Sequence, residues 1–461
     1  MAETNFPKRA YDHSFPFDPI VRSLLDTDFY KILMHQFIWR NYPNTNVTFA
    51  VTNRTKTIRL SDEIDIDELR AQLDHVRTLK FRQNELIWLA GQTFYGMSGI
   101  FGKGYLDYLR ASFKLSDYTI EHEVDESITN PDHGPMHPPT GQYKITFHGL
   151  WMETTLWEIY ALTIVNEMRY RGKMRKMNRS QLDIMYARAK VKLYAKLERL
   201  NSSCSELALS DFGTRRRHSY LWQEHAVLTA REVLGDKFVG TSNCYIAMTH
   251  GLEAKGTNAH ELPMVIAALA KNDEQLKQAQ YKVLQQWQDD YRGALLVCLP
   301  DTFGTTQFLR DAPEWLADWT GFRPDSKKPI PGGEELIDYW NYHSKKPTEK
   351  LVLFSDGLDV RIDGFEPQGE DIVEIYDHFH GRIRDGYGWG TMLTNDFIGC
   401  HPVNGDEMKP ISLVCKVASA DDRPAVKLSD NYSKAGGPPE EVERYRRVFG
   451  TEGQHGAPTL V

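Results

Sequence analysis

The 461-residue sequence has no apolar run approaching 18 residues, so no stretch is long and apolar enough to cross a bilayer as a helix. Its opening residues, M-A-E-T-N-F-P-K-R, lack the apolar core of a secretion signal. Cysteine is scarce: Cys204, Cys244, Cys298, Cys400 and Cys415 contain no C-x-x-C pair and are odd in number. That usage argues against a disulfide framework and for reduced thiols in a cytoplasm. A basic excess is missing too. The formal net charge of −8 argues against a nucleic-acid partner, which calls for a basic face. No internal repeat is visible. With 41% hydrophobic and 26% charged residues, what remains is an ordinary soluble chain, long enough for a large core and more than one domain.

Taken in order, residues 1–20 read as an extended arm, and residues 24–39 as a helix capped by Asp26 or Thr27. Tyr30, Leu33, Met34 and Phe37 share one face of it, a spacing typical of core. Residues 46–51 read as a strand, 61–116 as mainly helical, and 119–124 and 143–147 as strands. The histidines His122, His133 and His137 lie in or beside a Pro/Gly-rich loop and are better read as solvated than as metal ligands. From residue 150 the texture changes. Two long helices, 151–170 and 178–200, lead into short apolar runs at 206–209, 237–239, 245–248 or 254–256, 294–299, 320–323, 351–354 and 382–384. Helical stretches fall between several of these, which predicts a parallel sheet and, at seven or eight units, a closed barrel. Beyond Asp396 the pattern returns to antiparallel-looking strands, 411–417 and 425–428, and then a loosely held tail, 432–461. The expected fold is α/β: an irregular parallel (β/α) barrel over 150–396, plus a second α+β domain from 1–149 completed by 397–461.

Chemistry-bearing residues gather just after the predicted strands: Asp211 with Arg215, Ser242, His260, Asp301 with Thr302, Arg323 with Asp325, Ser355 with Asp356 and Asp359, and G-Y-G-W-G-T at 386–391. In a (β/α) barrel such positions converge at one end, where catalytic groups and phosphate sites sit. Arg215, Arg216 and Arg217 offer paired N–H donors to carboxylate or phosphate. Gly240, Thr241 and Ser242 offer a tight turn with free donors. His260 offers a group that can change protonation or carry a phosphoryl group. Alone, each has a plainer reading: a solvated helix start, a turn, a satisfied core histidine. Together at strand ends they describe an anion-handling site.

The motifs D-T-D-F-Y-K (26–31), S-D-F-G-T-R-R-R (210–217), V-G-T-S-N (239–243), G-T-N-A-H-E (256–261), D-T-F-G-T (301–305), F-R-P-D-S (322–326) and F-S-D-G-L-D (354–359) together resemble nicotinate phosphoribosyltransferase, in order from about residue 20 to 430. The resemblance implies a type II phosphoribosyltransferase fold and a cytoplasmic homodimer with active sites shared across the interface. It implies transfer of phosphoribose from 5-phosphoribosyl 1-diphosphate to nicotinate, with Mg²⁺ carried on the diphosphate. It also implies coupling to ATP through a phosphohistidine at His260. On this chain Phe212, and Tyr30 from the other subunit, would sandwich the ring. Arg215 and Arg323 would face anions near the base and the ribose phosphate. Asp301 and Asp325 would serve the ribose hydroxyls and the magnesium diphosphate. Ser355, Gly390 and Thr391 would hold the 5′-phosphate, and Arg54 from the neighbour the diphosphate. The chain departs from the family at P-D-S-K-K (324–328), where D-S-G-D is commoner.

Two other activities stay open at this point. Nicotinamide phosphoribosyltransferase shares fold and chemistry but places an acid at the position of Ser242, whose hydroxyl can instead donate to a carboxylate. A metal-dependent barrel hydrolase would use His218, His250, His260, Asp301 and Asp356, although no close H-x-H or H-x-x-E-H pair is present. A non-catalytic sensor of the same pathway would keep the pocket without needing His260 and both aspartates.

Overall fold

The computed structural model describes residues 18–93, 99–125, 140–365, 367–405 and 407–456. Most of the expected N-terminal arm, with His133 and His137, lies outside them. Strands are numbered here in chain order. In β1 (Asn46–Asn53) Val47, Phe49 and Val51 are buried while alternate residues are not, the two-residue period of a half-buried strand. It pairs antiparallel with β3 (Gly141–Leu150) on one side, Phe49 opposite Phe147, and β3 in turn with β2 (Asp117–Val124). Its other neighbour comes from far along the chain: β12 (Leu413–Ala420), backed by β13 (Arg423–Pro424). The order is β13-β12-β1-β3-β2.

The second sheet is parallel, in the order β5-β4-β11-β8-β7-β6. Its strands are β4 (Leu209–Asp211), β5 (Phe238–Thr241), β6 (Val297–Cys298), β7 (Gly321–Phe322), β8 (Leu351–Phe354) and β11 (Arg384–Trp389). A small parallel pair, β9 (Leu358–Asp359) with β10 (Glu370–Asp371), stands beside it. Side-chain caps start the connecting helices: Ser219 for Tyr220–Leu234 and Asn272 for Asp273–Asp290. Among the described residues no ladder joins β5 to β6, so the sheet is parallel but barrel closure is not seen. Residues 254–258 run between those edges. Ala254 bridges Thr241, and Asn258 Nδ2 donates to the Val297 carbonyl at 3.2 Å.

Between the two sheets lies the helix Trp157–Met174, packed against β12, the turn Thr214–Arg216 and the helix Ile66–Thr78. It is buried almost all round, so its charged residues find partners. Arg169 pairs with Glu63, and Arg171 with Asp18 and Glu167. Phe147 stacks on Trp157 with ring centroids 4.6 Å apart, fixing sheet to helix.

Of the two runs open for the strand after β5, residues 244–250 form a helix, because Asn243 caps it by accepting from the Ile246 N–H at 3.0 Å, and Ala254 of the other run makes the bridge to Thr241. One expectation needs correction: the C-terminal segment is not a loose tail. Helix Pro439–Phe449 packs Phe449 on Phe303 at 4.4 Å and 10°. Val442, Tyr445 and Phe449, at helical spacing, form the face that docks.

Candidate functional site

A cavity of about 610 Å³ opens at the carboxyl ends of the parallel strands and follows them back toward their amino ends. The structure brings Tyr30, Arg54, Phe212, Arg215, Ser242, His260, Arg323, Asp325, Ser355, Gly390 and Thr391 onto its wall. Asp301 is the exception. It is fully buried behind His260, accepts from Ser326 Oγ at 2.7 Å and does not line the cavity. Direct contact with ribose or diphosphate is therefore not its position here.

At one end, β4 hands the chain to Phe212, whose N–H donates to the Trp389 carbonyl at 2.8 Å. Its ring lies over Gly388, where a Cβ would stand 2.4 Å away. The glycine of G-Y-G-W-G-T thus makes room for an aromatic ring, and of that stretch's last four residues only Gly390 and Thr391 reach the cavity. The three arginines diverge. Arg215 faces the cavity and donates to Glu158 at 3.2 Å. Arg216 also lines it, with Nε toward the Leu413 carbonyl. Arg217 is fully buried, forked onto Asp26 at 2.6 and 2.7 Å. Asp26 is therefore an anchor for Arg217 rather than a helix cap.

Tyr30 and Arg54 line the cavity of their own chain. A Cβ at Gly256 would stand 2.7 Å from the Tyr30 backbone nitrogen, so that glycine lets the 256–261 loop close against the helix start. The Tyr30 hydroxyl is buried, with no hydrogen-bond partner among the described residues. Beneath it Lys31 is shared by Glu158, at 2.7 Å, and Glu261. Burial works against ionisation of Glu158, but Lys31 and Arg215 outweigh it and hold the carboxyl below its ordinary range. Ser242 does not point a free hydroxyl at a ligand. It donates to Asp28 Oδ1 at 2.6 Å, and burial pushes the Asp28 carboxyl up.

At the other end His260 Nε2 is 3.1 Å from Asp325 Oδ2 and 3.7 Å from Asp301 Oδ2, while Nδ1 is 2.9 Å from Thr302 Oγ. Two carboxylates on Nε2 favour the proton there, leaving the Nδ1 lone pair to accept from Thr302. Burial keeps the imidazole pKa below its ordinary value despite Asp301. Asp325 is drawn well down, its burial outweighed by His260 and Arg323. Arg323 donates to Asp325 at 3.3 Å and to Ser355 Oγ at 3.2 Å. The P-D-S-K-K departure leaves this wall intact. Ser326 bonds Asp301, Lys327 turns away to Thr306 and Glu335, and Lys328 precedes the helix Pro329–Tyr342.

Sequence reasoning missed several wall residues: Asp28, Glu158, Lys416, Lys427 and Lys434. Lys434 pairs with Asp356 at 2.5 Å, and the Arg54 guanidinium donates to the Lys434 carbonyl at 3.2 Å. Burial, then Lys427, Arg54 and Lys434, push the Lys416 amine well down. A lysine inside the apolar run L-V-C-K-V was the available signal for that residue.

Among the described residues one group could hold a metal ion, His260 with Asp301 and Asp325, whose ligand atoms lie within 4.8 Å of one another. The hydrolase set does not converge. His218 is stacked on Phe397 at 3.9 Å and bonded to Tyr186, and His250 bonds Glu224 at 3.0 Å. Neither reaches the cavity.

Comparison with known proteins agrees with this geometry. The profile described as the nicotinate phosphoribosyltransferase (NAPRTase) family matches residues 207–453, and that of its N-terminal domain residues 25–166. Similar solved structures include a nicotinate phosphoribosyltransferase from Vibrio cholerae, 29% identical, TM-score 0.78, covering 95% of this chain and 96% of that one. Another, from Porphyromonas gingivalis, is 25% identical with TM-score 0.77, covering 94% and 100%. A putative nicotinate phosphoribosyltransferase from Saccharomyces cerevisiae, 24% identical with TM-score 0.79 over 94% and 99%, shares the fold. With more than half its length matched and its motifs gathered on one cavity, the chain belongs to the nicotinate phosphoribosyltransferase family.

Proposed function

We infer that the chain joins nicotinate to 5-phosphoribosyl 1-diphosphate, releasing diphosphate and serving NAD biosynthesis. One observation carries the reading. A single cavity has an aromatic–arginine end, Phe212, Tyr30 and Arg215, and a cationic end, Arg54, Arg323, Lys427 and Lys434. The first suits a flat aromatic acid: the ring lies between Phe212 and Tyr30, and the carboxylate faces Arg215. The second suits a sugar phosphate and diphosphate. The pyridine nitrogen uses its own lone pair to form the bond to the anomeric carbon as the bond to diphosphate breaks. No strong base is needed, and the wall's task is to stabilise charge in transit.

Magnesium belongs to this proposal as an ion carried by the diphosphate. The donors fit that role: Asp325 and Asp356 are each already paired with a cation, and the orphaned Oδ1 of Asp301 is fully buried. When bound, the ion neutralises charge on the leaving diphosphate. ATP is proposed as co-substrate. An imidazole nitrogen of His260 takes its γ-phosphoryl group, ADP leaves, and water later hydrolyses the phosphoramidate. The depressed imidazole pKa supports this by keeping the ring neutral.

The same reading includes an irregular barrel, with residues 254–258 standing where a closing ladder would run, and domains divided near residues 150 and 396. It includes a homodimer, whose second copy would add to a wall that already has Tyr30 and Arg54. A cytoplasmic location is supported by five buried cysteines, none in a disulfide. No helix of the described residues is long and apolar enough to cross a membrane. The deciding experiment measures diphosphate release with nicotinate, nicotinamide and quinolinate in parallel, with and without ATP. Nicotinate should lead, and ATP should raise its turnover. Equal or better turnover of nicotinamide would overturn the substrate assignment.

A further inference from the structure

The helix Arg179–Ser203 turns one face inward, through Leu182, Met185, Tyr186, Ala189, Leu193, Leu197 and Leu200. Lys192 and Lys196 also lie on that face, where the helical period calls for apolar residues. Both are buried, and each meets carboxylates that are equally buried. Lys196 Nζ donates to Asp359 Oδ1 at 2.5 Å and to Asp396 Oδ2 at 2.6 Å, with side-chain exposures of 4%, 2% and 9%. Lys192 Nζ takes the other oxygen of Asp396, at 2.9 Å, and the Ile398 carbonyl at 2.5 Å. The group is charge-balanced, two ammoniums for two carboxylates. A packed apolar face would serve stability as well or better, so a charge-balanced group in so dry a place needs another account.

Its location supplies one. Asp359 ends β9, directly after the cavity-lining residues Ser355 to Leu358. Both of its oxygens are engaged further, Oδ1 by the Val360 N–H and Oδ2 by the Gln368 N–H, each at 2.8 Å. Asp396 follows the short turn Thr391–Thr394, which carries cavity-lining Gly390 and Thr391. The Lys196 ammonium also lies 5.8 Å from the centroid of the Trp389 ring, at the end of β11. One nitrogen therefore holds two loops of the cavity wall and the strand end between them.

We propose that Lys196 is a positioning residue for the phosphate-bearing substrate, setting the spacing between the 355–358 loop and the 390–391 turn. This rests on the reading that a phosphate group lies between Ser355 and Thr391. Without Lys196 the hydrogen bonds that tie Asp359 to Asp396 are lost, and the two carboxylates face each other in a dry interior with only Lys192, on the other oxygen of Asp396, to offset them. They separate, and the loops they anchor separate with them. The aromatic–arginine end, built on different segments, keeps its geometry.

The test compares wild type with Lys196→Met, Lys196→Arg and the charge-balanced double variant Lys196→Met/Asp359→Asn, in the full chain. Melting temperature reports folding, and steady-state kinetics report each substrate separately. Lys196→Met and the double variant should raise KM for 5-phosphoribosyl 1-diphosphate by roughly tenfold, leaving KM for nicotinate near wild type. Lys196→Arg should recover most of that loss. A second readout needs no turnover: the concentration of inorganic phosphate that raises the melting temperature by half its maximal amount should rise by a similar factor. A double variant that melts like wild type, with unchanged KM and unchanged phosphate response, overturns the proposal and makes Lys196 purely structural. A wild type that releases no diphosphate and does not respond to phosphate overturns the reading of the site itself, and this inference with it.

Discussion

The hydroxyl of Ser242 donates to Asp28 Oδ1 at 2.6 Å, so the serine's single proton is committed within the protein. Recognition of a substrate carboxylate then falls mainly on Arg215. Arg215→Gln should raise KM for nicotinate roughly tenfold to a hundredfold, the equivalent of a charge-assisted hydrogen bond of ~1.5–3 kcal/mol. Ser242→Ala should cost nicotinate far less. Ser242→Asp, by placing a second carboxylate against Asp28, should lose nicotinate turnover. Steady-state kinetics on the three variants check this, and equal losses for Arg215→Gln and Ser242→Ala would return the role to the serine.

His260 is expected to carry the ATP-derived phosphate, and both His260→Ala and His260→Glu should abolish ATPase activity and protein-bound ³²P. Slow ATP-independent synthesis should survive, since the ribosyl transfer does not use the imidazole as a base. Burial holds its pKa below the ordinary value, which favours the neutral ring. Labelling should therefore fall as the pH is taken to the acid side. Label persisting on His260→Ala would point to another residue, but not to His218 or His250, which lie off the cavity.

Because Tyr30 lies on its own chain's cavity, Tyr30→Ala should lower activity without a partner that can repair it. Mixing Tyr30→Ala with Phe212→Ala should leave activity no higher than the sum of the two. Recovered activity in the mixture would show that a second copy supplies the ring.

Burial depresses His35 to about 4, His218 to about 3 and His225 to about 4. The unfolded value is near 6.5. A histidine depressed in the folded state contributes stability that is complete above the unfolded value and is lost as pH falls through the folded one. Melting temperature should therefore drop progressively from pH 6.5 toward pH 4, with protons taken up on unfolding. His35→Gln should reduce that uptake in calorimetry across several buffers, and an unchanged uptake would refute this account of acid sensitivity.

Phe449 stacks on Phe303 at 4.4 Å, and Phe449→Ala should cost about 3–5 kcal/mol if the C-terminal helix unfolds together with the rest. Denaturant titration measures this. A negligible change would mean that the helix melts on its own.

Local pattern made much of the molecule legible. β1 and β8 stand where alternating or apolar runs put them, and Ser355 follows β8 directly. The helix 244–250 was ambiguous because seven residues of C-Y-I-A-M-T-H are too few to separate the two periods. Asn243, its cap, was the deciding signal. Long-range pairing was hidden. Nothing near Arg217 tells that its partner is Asp26, 191 positions away, rather than a ligand. Lys416 reaches the cavity on β12, which pairs with β1, while Lys427 and Lys434 are placed by contacts with Asp301 and Asp356, so their role is set by topology rather than by neighbouring residues.

That pairing has a consequence during synthesis. β1 acquires its β12 neighbour only after the ribosome has made the roughly 360 residues between them, about 20–70 s at 5–20 residues per second. Until then one edge of β1, from Val47 to Asn53, offers its N–H and C=O groups to whatever strand is near. The nascent domain is open to mispairing for that interval, and the polar residues Asn46, Thr48, Thr52 and Asn53 make the strand a less apolar template for a wrong partner.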